Sequence, residues 1–118
     1  MRIAHLRATP RTVSHSGLIS LYVQVEGIRL SYQDMGKRPV SGEGHVQYYL
    51  DRIPRDAWSK VDLGHGYLGA AGTPTVTLGL AHSPARVSRG KHRIVAALAK
   101  NNRILYHAPA SSVAITVR

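Results

Sequence analysis

Gly42-Glu43-Gly44-His45-Val46-Gln47-Tyr48-Tyr49-Leu50-Asp51 alternates with a period of two once the glycines are past. Val46, Tyr48 and Leu50 fall on one side, with His45, Gln47, Tyr49 and Asp51 on the other, the pattern of a β-strand with one face in a core. The two glycines permit a tight backbone approach just before the strand begins. A row of His, Gln, Tyr and Asp has the groups to line a shallow ligand site. An ordinary half-buried strand turns such a row to solvent, and that is the expectation from the pattern alone.

The same period recurs along the chain. Leu18 to Glu26 places Ile19, Leu21, Val23 and Val25 together, and after Gly27 the residues Ile28, Leu30 and Tyr32 resume the pattern as a further short strand. Thr75 to Leu80 aligns Val76, Leu78 and Leu80, and Ser112 to Val117 aligns Val113, Ile115 and Val117. Ile3 to Ala8 reads as a first strand stopped by Pro10. Lys91 to Lys100 is apolar through Ile94, Val95 and Leu98; Gly90 before it and Asn101-Asn102 after it favour a strand over a helix. The connectors Gly36 to Gly44, Gly64 to Pro74, Pro84 to Gly90 and Ala108 to Ser111 are rich in turn residues. Pro54 to Lys60 is the one helical hint, with Pro54 opening a single turn. About seven short strands separated by turns predict one all-β domain over residues 1–118, an antiparallel sandwich.

Composition narrows the function classes. The 118 residues carry 16 Lys+Arg against 6 Asp+Glu, a formal charge of +10, with 7 His and no Cys. Without cysteine there is no disulfide framework, thiolate metal site or thiol nucleophile. Few carboxylates leave little choice of general acid or base; Asp51, Asp56 and Asp62 are the nearest in sequence. No Ser sits in a G-x-S-x-G elbow, and the glycine-rich stretch Gly64 to Gly72 lacks phosphate-loop spacing and reads as a flexible loop. An enzyme is not expected, nor a cofactor. Two His at i and i+2 would suit a metal, but the chain has no such pair, so a metal would need isolated residues such as His45, His92 and His107; none is expected. No run approaches a transmembrane span, and Arg2, Arg7 and Arg11 have no apolar run behind them, so the N-terminus does not read as a secretory signal.

The Gly42–Asp51 block, the later Gly90-Lys91-His92 and the pair Asn101-Asn102 together resemble a family of small bacterial and archaeal immunoglobulin-like domains. Its members carry a GEGHxHYYLD-type strand, a PG(K/E)H turn and a strand ending NNDHxP. The similarity spans roughly residues 17–118 and is specific in those two blocks. It implies an immunoglobulin-like sandwich and, because members usually follow a signal or lipoprotein anchor, an envelope or secreted location. It implies no activity. Two departures stand out: Gln47 replaces the second His of the HxH pair, and after Asn102 the acidic residue is gone and His107 is displaced.

Three functional readings follow. The first is a non-catalytic interaction module that binds a protein or small ligand, or forms a homo-oligomer. The second is a metal- or small-ligand protein, with His45, Gln47, Tyr49, Asp51 and His107 as ligand-binding candidates. The third is a nucleic-acid or polyanion binder. Its candidate residues are Arg86, Arg89, Lys91 and Arg93, part of an acid-free basic stretch that also includes Lys100 and Arg103.

Overall fold

Period-two segments require partners for their backbone groups, and the chain supplies them in two sheets. The structure, a computed structural model, describes residues 1–63, 66–83 and 86–118. The strands among them are β1 (Arg2–Thr9), β2 (Thr12–Val13), β3 (Leu18–Glu26), β4 (Arg29–Leu30), β5 (Glu43–Leu50), β6 (Tyr67–Ala71), β7 (Thr75–Gly79), β8 (Gly90–Ala99) and β9 (Ser111–Val117). The fold is all-β. A three-stranded sheet has the order β1-β3-β7; a six-stranded sheet runs β2-β9-β8-β5-β4, with β6 also paired to β5.

The main core lies between the sheets. Ile19, Leu21 and Val23 of β3 meet Val46, Tyr48 and Leu50 of β5, Ile94 and Leu98 of β8, and Ile115 and Val117 of β9. These are the inward positions that alternation marks. Each large apolar side chain taken from water contributes about 1.5–3 kcal/mol. Leu30, Val25, Leu78 and Val113 pack at the core's margin.

The architecture differs from expectation in several places. Nine strands replace about seven, because two-residue pairings such as β2 carry no periodic signal. The pairing is not purely antiparallel: β2 runs parallel to β9, and β4 parallel to β5. Tyr67–Ala71, expected within a connector, is a strand, since β5 has a free edge that it fills from Val46 to Tyr49. Gly64 and His65 of that glycine-rich stretch, and Pro84 and Ala85 of the next connector, lie outside the described residues. Tyr32 does not continue a strand and stands 74% exposed. The turn after Pro54 is a 3-10 turn over Arg55–Trp58, with Pro54 capping it.

The larger correction concerns β5. Every residue from Glu43 to Leu50 is buried. Its polar face is roofed by the segment after Leu50 and by the turn at residues 101–106. Tyr49, Ala57, Ala97, Ala99 and Leu105 form a second small core there, flanked by Ile53, Trp58 and Tyr67. A backbone bond from Leu105 N–H to the Ala57 carbonyl, 2.9 Å long, ties the two roofing segments together.

Candidate functional site

The row expected to face solvent is instead an internal hydrogen-bonded chain. His45 and Gln47 have no solvent exposure, and neither does Tyr49. The His45 Nε2 lies 2.9 Å from Gln47 Oε1, and the Gln47 amide donates to Tyr49 Oη at 2.7 Å. An amide oxygen can only accept, so the proton of His45 sits on Nε2 and Nδ1 is left as the acceptor. Nδ1 has no partner among the described residues. Burial lowers the His45 pKa, against the opposing pull of the Gln47 hydrogen bond. Burial also pushes Tyr49 up to about 12. The row is therefore neutral and dry, which suits a structural role better than ligand capture.

At the head of the strand, buried Glu43 gathers partners from several segments, the Asp34 carboxyl among them. Arg29 donates to its carboxylate, as does Asn101 Nδ2 at 2.9 Å, and Tyr106 Oη donates to its backbone carbonyl at 2.7 Å. This arrangement fastens β4 and the Asn101 turn to β5.

The other candidates separate. Asp51 does not share the row's face. It adopts a left-handed φ of 68°, a region that Asp tolerates, and leaves the strand. Its carboxylate meets His92 Nδ1 at 2.9 Å and accepts the Arg93 N–H at 3.0 Å. His107 is exposed. Among the described residues no group of three His, Cys, Asp or Glu could hold a metal ion. The sequence blocks thus bring His45, Gln47 and Tyr49 together and leave Asp51 and His107 apart from them.

His92 bridges Asp51, far away in sequence, and Ser88, close before it. Its Nδ1 faces Asp51, and its Nε2 lies 2.8 Å from the Ser88 carbonyl oxygen and 3.3 Å from Ser88 Oγ. Ser, His and Asp in this order resemble a nucleophilic triad, but the proton geometry opposes that use. A base must offer Nε2 as a lone pair to the hydroxyl. Here both ring nitrogens face better acceptors, a carboxylate and a carbonyl, so the ring is satisfied as an imidazolium. Burial opposes that charge. The hydrogen bonds that the ring donates to Asp51 and Ser88, with the Asp51 charge, outweigh it, and the pKa is raised.

The sign for stability follows from linkage. A folded-state pKa above the ordinary 6.5 gives stability that is complete below about pH 6.5 and is lost as pH rises through the folded value. His92→Asn should therefore lower the melting temperature most near pH 5.5 and least near pH 8.5. Thermal unfolding across that range checks this, and a constant difference would remove the imidazolium clasp.

The roof over β5 stops short of β9, and this creates the open site. Residues Asp51, Arg52, Ile53, Trp58, Arg93, Val95 and Ser112 line a cleft of ≈ 340 Å³ between the roof and the outer face of β8–β9. It adjoins a second cleft lined by Asp51, Lys91, His92, Arg93 and Ala114, and a third lined by Arg11, Thr12, Lys91, Ala114 and Thr116. Together they form a trough across the sheet. Lys91 pairs in register with Thr116, and Arg93 with Ala114, so the basic side chains stand over small neighbours. Arg93 Nη1 donates to Ser112 Oγ at 3.1 Å, and Arg11 Nε donates to the Ala114 carbonyl at 3.1 Å. Each guanidinium keeps further N–H groups for a ligand. Arg86 and Arg89 are exposed on the segment leading into β8.

Arg52, Trp58 and Ser88 were not singled out in the sequence. The only available signal was the lone tryptophan, in a short turn between two basic residues, Arg55 and Lys60. Comparisons with protein families, with curated proteins and with solved structures give no match.

Proposed function

We propose that this chain is a non-catalytic binding module of immunoglobulin-like architecture, and that its ligand surface is the trough on the outer face of β8–β9, which takes an anionic polymer. The strand orders support the architecture: β1-β3-β7 corresponds to strands A, B and E of such a sandwich, and β5-β8-β9 to C, F and G. The resemblance of the Gly42–Asp51 and Gly90–Asn102 blocks points the same way.

One observation carries the ligand class. Arg11, Arg52, Lys91 and Arg93 line the trough, and its only described carboxylate, Asp51, is already held by His92 and by the Arg93 N–H. A trough with one sign of charge over a low-dielectric floor concentrates anions. A cleft of ≈ 420 Å³ on the opposite sheet, lined by Arg7, Ser20, Tyr22 and Thr77 among others, is no smaller. It offers a single cation, and that one is stacked 5.2 Å over Tyr22.

Polyphosphate binding followed at increasing salt tests the reading. Lys91→Ala/Arg93→Ala should weaken binding about tenfold or more and reduce the slope of log K against log salt by about two. Arg2→Ala/Arg7→Ala, with the same loss of charge on the other sheet, should leave affinity nearly unchanged. Equal losses in the two variants would mean bulk charge, and the trough would not be a site.

A further inference from the structure

The trough is not chemically uniform, and its roofed end carries the one aromatic side chain that lines it. At the roofed end Ile53, Trp58 and Val95 line the cleft, with the Arg52 and Arg93 guanidinium groups and the Ser112 hydroxyl beside them. A simple anion gains nothing from an indole and two aliphatic side chains. From this juxtaposition we infer that the trough binds single-stranded nucleic acid, with one base packed against Trp58 and the flanking phosphates on Arg93, Lys91 and Arg11. The inference rests on the anionic-polymer reading and names the polymer.

The physical case has three parts. A repeating unit that alternates a planar apolar ring with a phosphate matches a site that alternates an aromatic wall with guanidinium groups. Stacking platforms set in a basic groove are the general solution for strands read without regard to sequence. The volume agrees: ≈ 340 Å³ lies within the range of small-ligand pockets and admits one base with its phosphate, not a paired duplex. The cations are also ordered along the sheet. Lys91 and Arg93 are two residues apart on one strand face, about 6.6 Å of rise, and Arg11 continues the line across β9. A duplex keeps its base faces inside its own stack, so Trp58 would have no ring to meet. Polyphosphate has no ring at all.

The chain's single tryptophan makes the test direct, because its fluorescence reports on this cleft alone. The probes are oligo(dT), a blunt duplex, polyphosphate and a polyuronate, at equal ionic strength and matched total charge. Oligo(dT) should quench Trp58 emission and bind about tenfold more tightly than polyphosphate. Trp58→Ala should remove most of that advantage, lowering oligo(dT) affinity far more than polyphosphate affinity, while Trp58→Tyr, which keeps a ring, should retain most of it. If Trp58→Ala does not fold, the wild-type ranking and Trp58→Tyr decide the matter. Equal affinity for oligo(dT) and polyphosphate without quenching overturns the inference but leaves the basic trough standing. Duplex or polyuronate binding as tight as oligo(dT) also overturns it. Failure of all four probes removes both the inference and the reading beneath it.

Discussion

Gly44→Ala should lower the melting temperature by about 10 °C or more, because it meets the closest contact of any Cβ added at the described glycines. A Cβ at position 44 would lie 1.9 Å from the Ala99 carbonyl oxygen and 3.2 Å from the Tyr106 ring. Neither neighbour can withdraw cheaply. Ala99 is the register partner of His45 in the β5–β8 pairing, and Tyr106 is held by its hydroxyl to the Glu43 carbonyl at 2.7 Å. Overpacking of an ordered interior costs about 1–3 kcal/mol and sometimes more. A contact with fixed backbone belongs at the upper end, against a total stability of about 5–15 kcal/mol. At roughly 4 °C per kcal/mol for a domain of this size, 10 °C is the expected scale. Gly42→Ala is the internal control. Its φ of +76° imposes the left-handed penalty of about 1–2 kcal/mol, but nothing lies within 4 Å of the added atom. Thermal and urea unfolding of the two variants separate the effects. A loss at Gly44 no larger than that at Gly42 would mean that β8 yields at Ala99, and the close approach would not shape this end of the sheet.

That contrast also marks how far sequence reading reaches. Two glycines before a strand announce a close approach, and Gly44 makes one, but only the partner strand distinguishes it from Gly42. Alternation located the inward faces of β3, β8 and β9 because burial of Ile19, Leu21, Ile94 and Ile115 is a local property of period two. The same alternation could not say that the other face of β5 is also dry. A polar row is solvent-facing unless its members satisfy one another under a roof, and the roof comes from residues as far as 63 positions away, as in the Tyr106–Glu43 bond. The strand Tyr67–Ala71 was illegible for a related reason. Tyr-Leu-Gly-Ala-Ala has little strand preference of its own and is extended because it fills a vacant edge of β5. For the site, the alternation of Lys91 and Arg93 was plain, and both line the trough. The wall with Arg52 and Trp58 was not, since it depends on a turn folding back over β8. The Asp51–His92 contact joins residues 41 apart and has no sequence signature.

The roof and the row beneath it rest on one amide, and Gln47→Leu should show this with a loss of about 2–6 kcal/mol. Leucine fills a similar volume, so little cavity forms and the cost is one of unmade hydrogen bonds. The substitution leaves the His45 Nε2–H and the Tyr49 hydroxyl buried, each without its 2.9 Å or 2.7 Å partner. Each orphaned polar group costs about 1–3 kcal/mol. The triple variant His45→Leu/Gln47→Leu/Tyr49→Phe removes all the polar atoms together and should recover most of that loss, because an apolar replacement of a whole buried network is close to neutral. Denaturant unfolding of the single and triple variants decides between packing and polarity, since a packing defect would worsen in the triple. Acid titration supplies a second readout with a definite sign. His45 is held neutral by burial, so its folded pKa lies below the ordinary 6.5. The unfolded chain therefore binds the extra proton first, and His45 withdraws stability as pH falls below about 6.5. His92 does the opposite over the interval above that value. In wild type stability should fall on the acid side because of His45 and on the alkaline side because His92 loses its proton. In the triple variant the acid limb attributable to His45 should vanish while the alkaline limb remains. Since Trp58 packs on the same small core as Tyr49, the single Gln47→Leu variant should also loosen the wall of the trough. Its oligo(dT) affinity should therefore fall further than its polyphosphate affinity, although position 47 touches neither ligand.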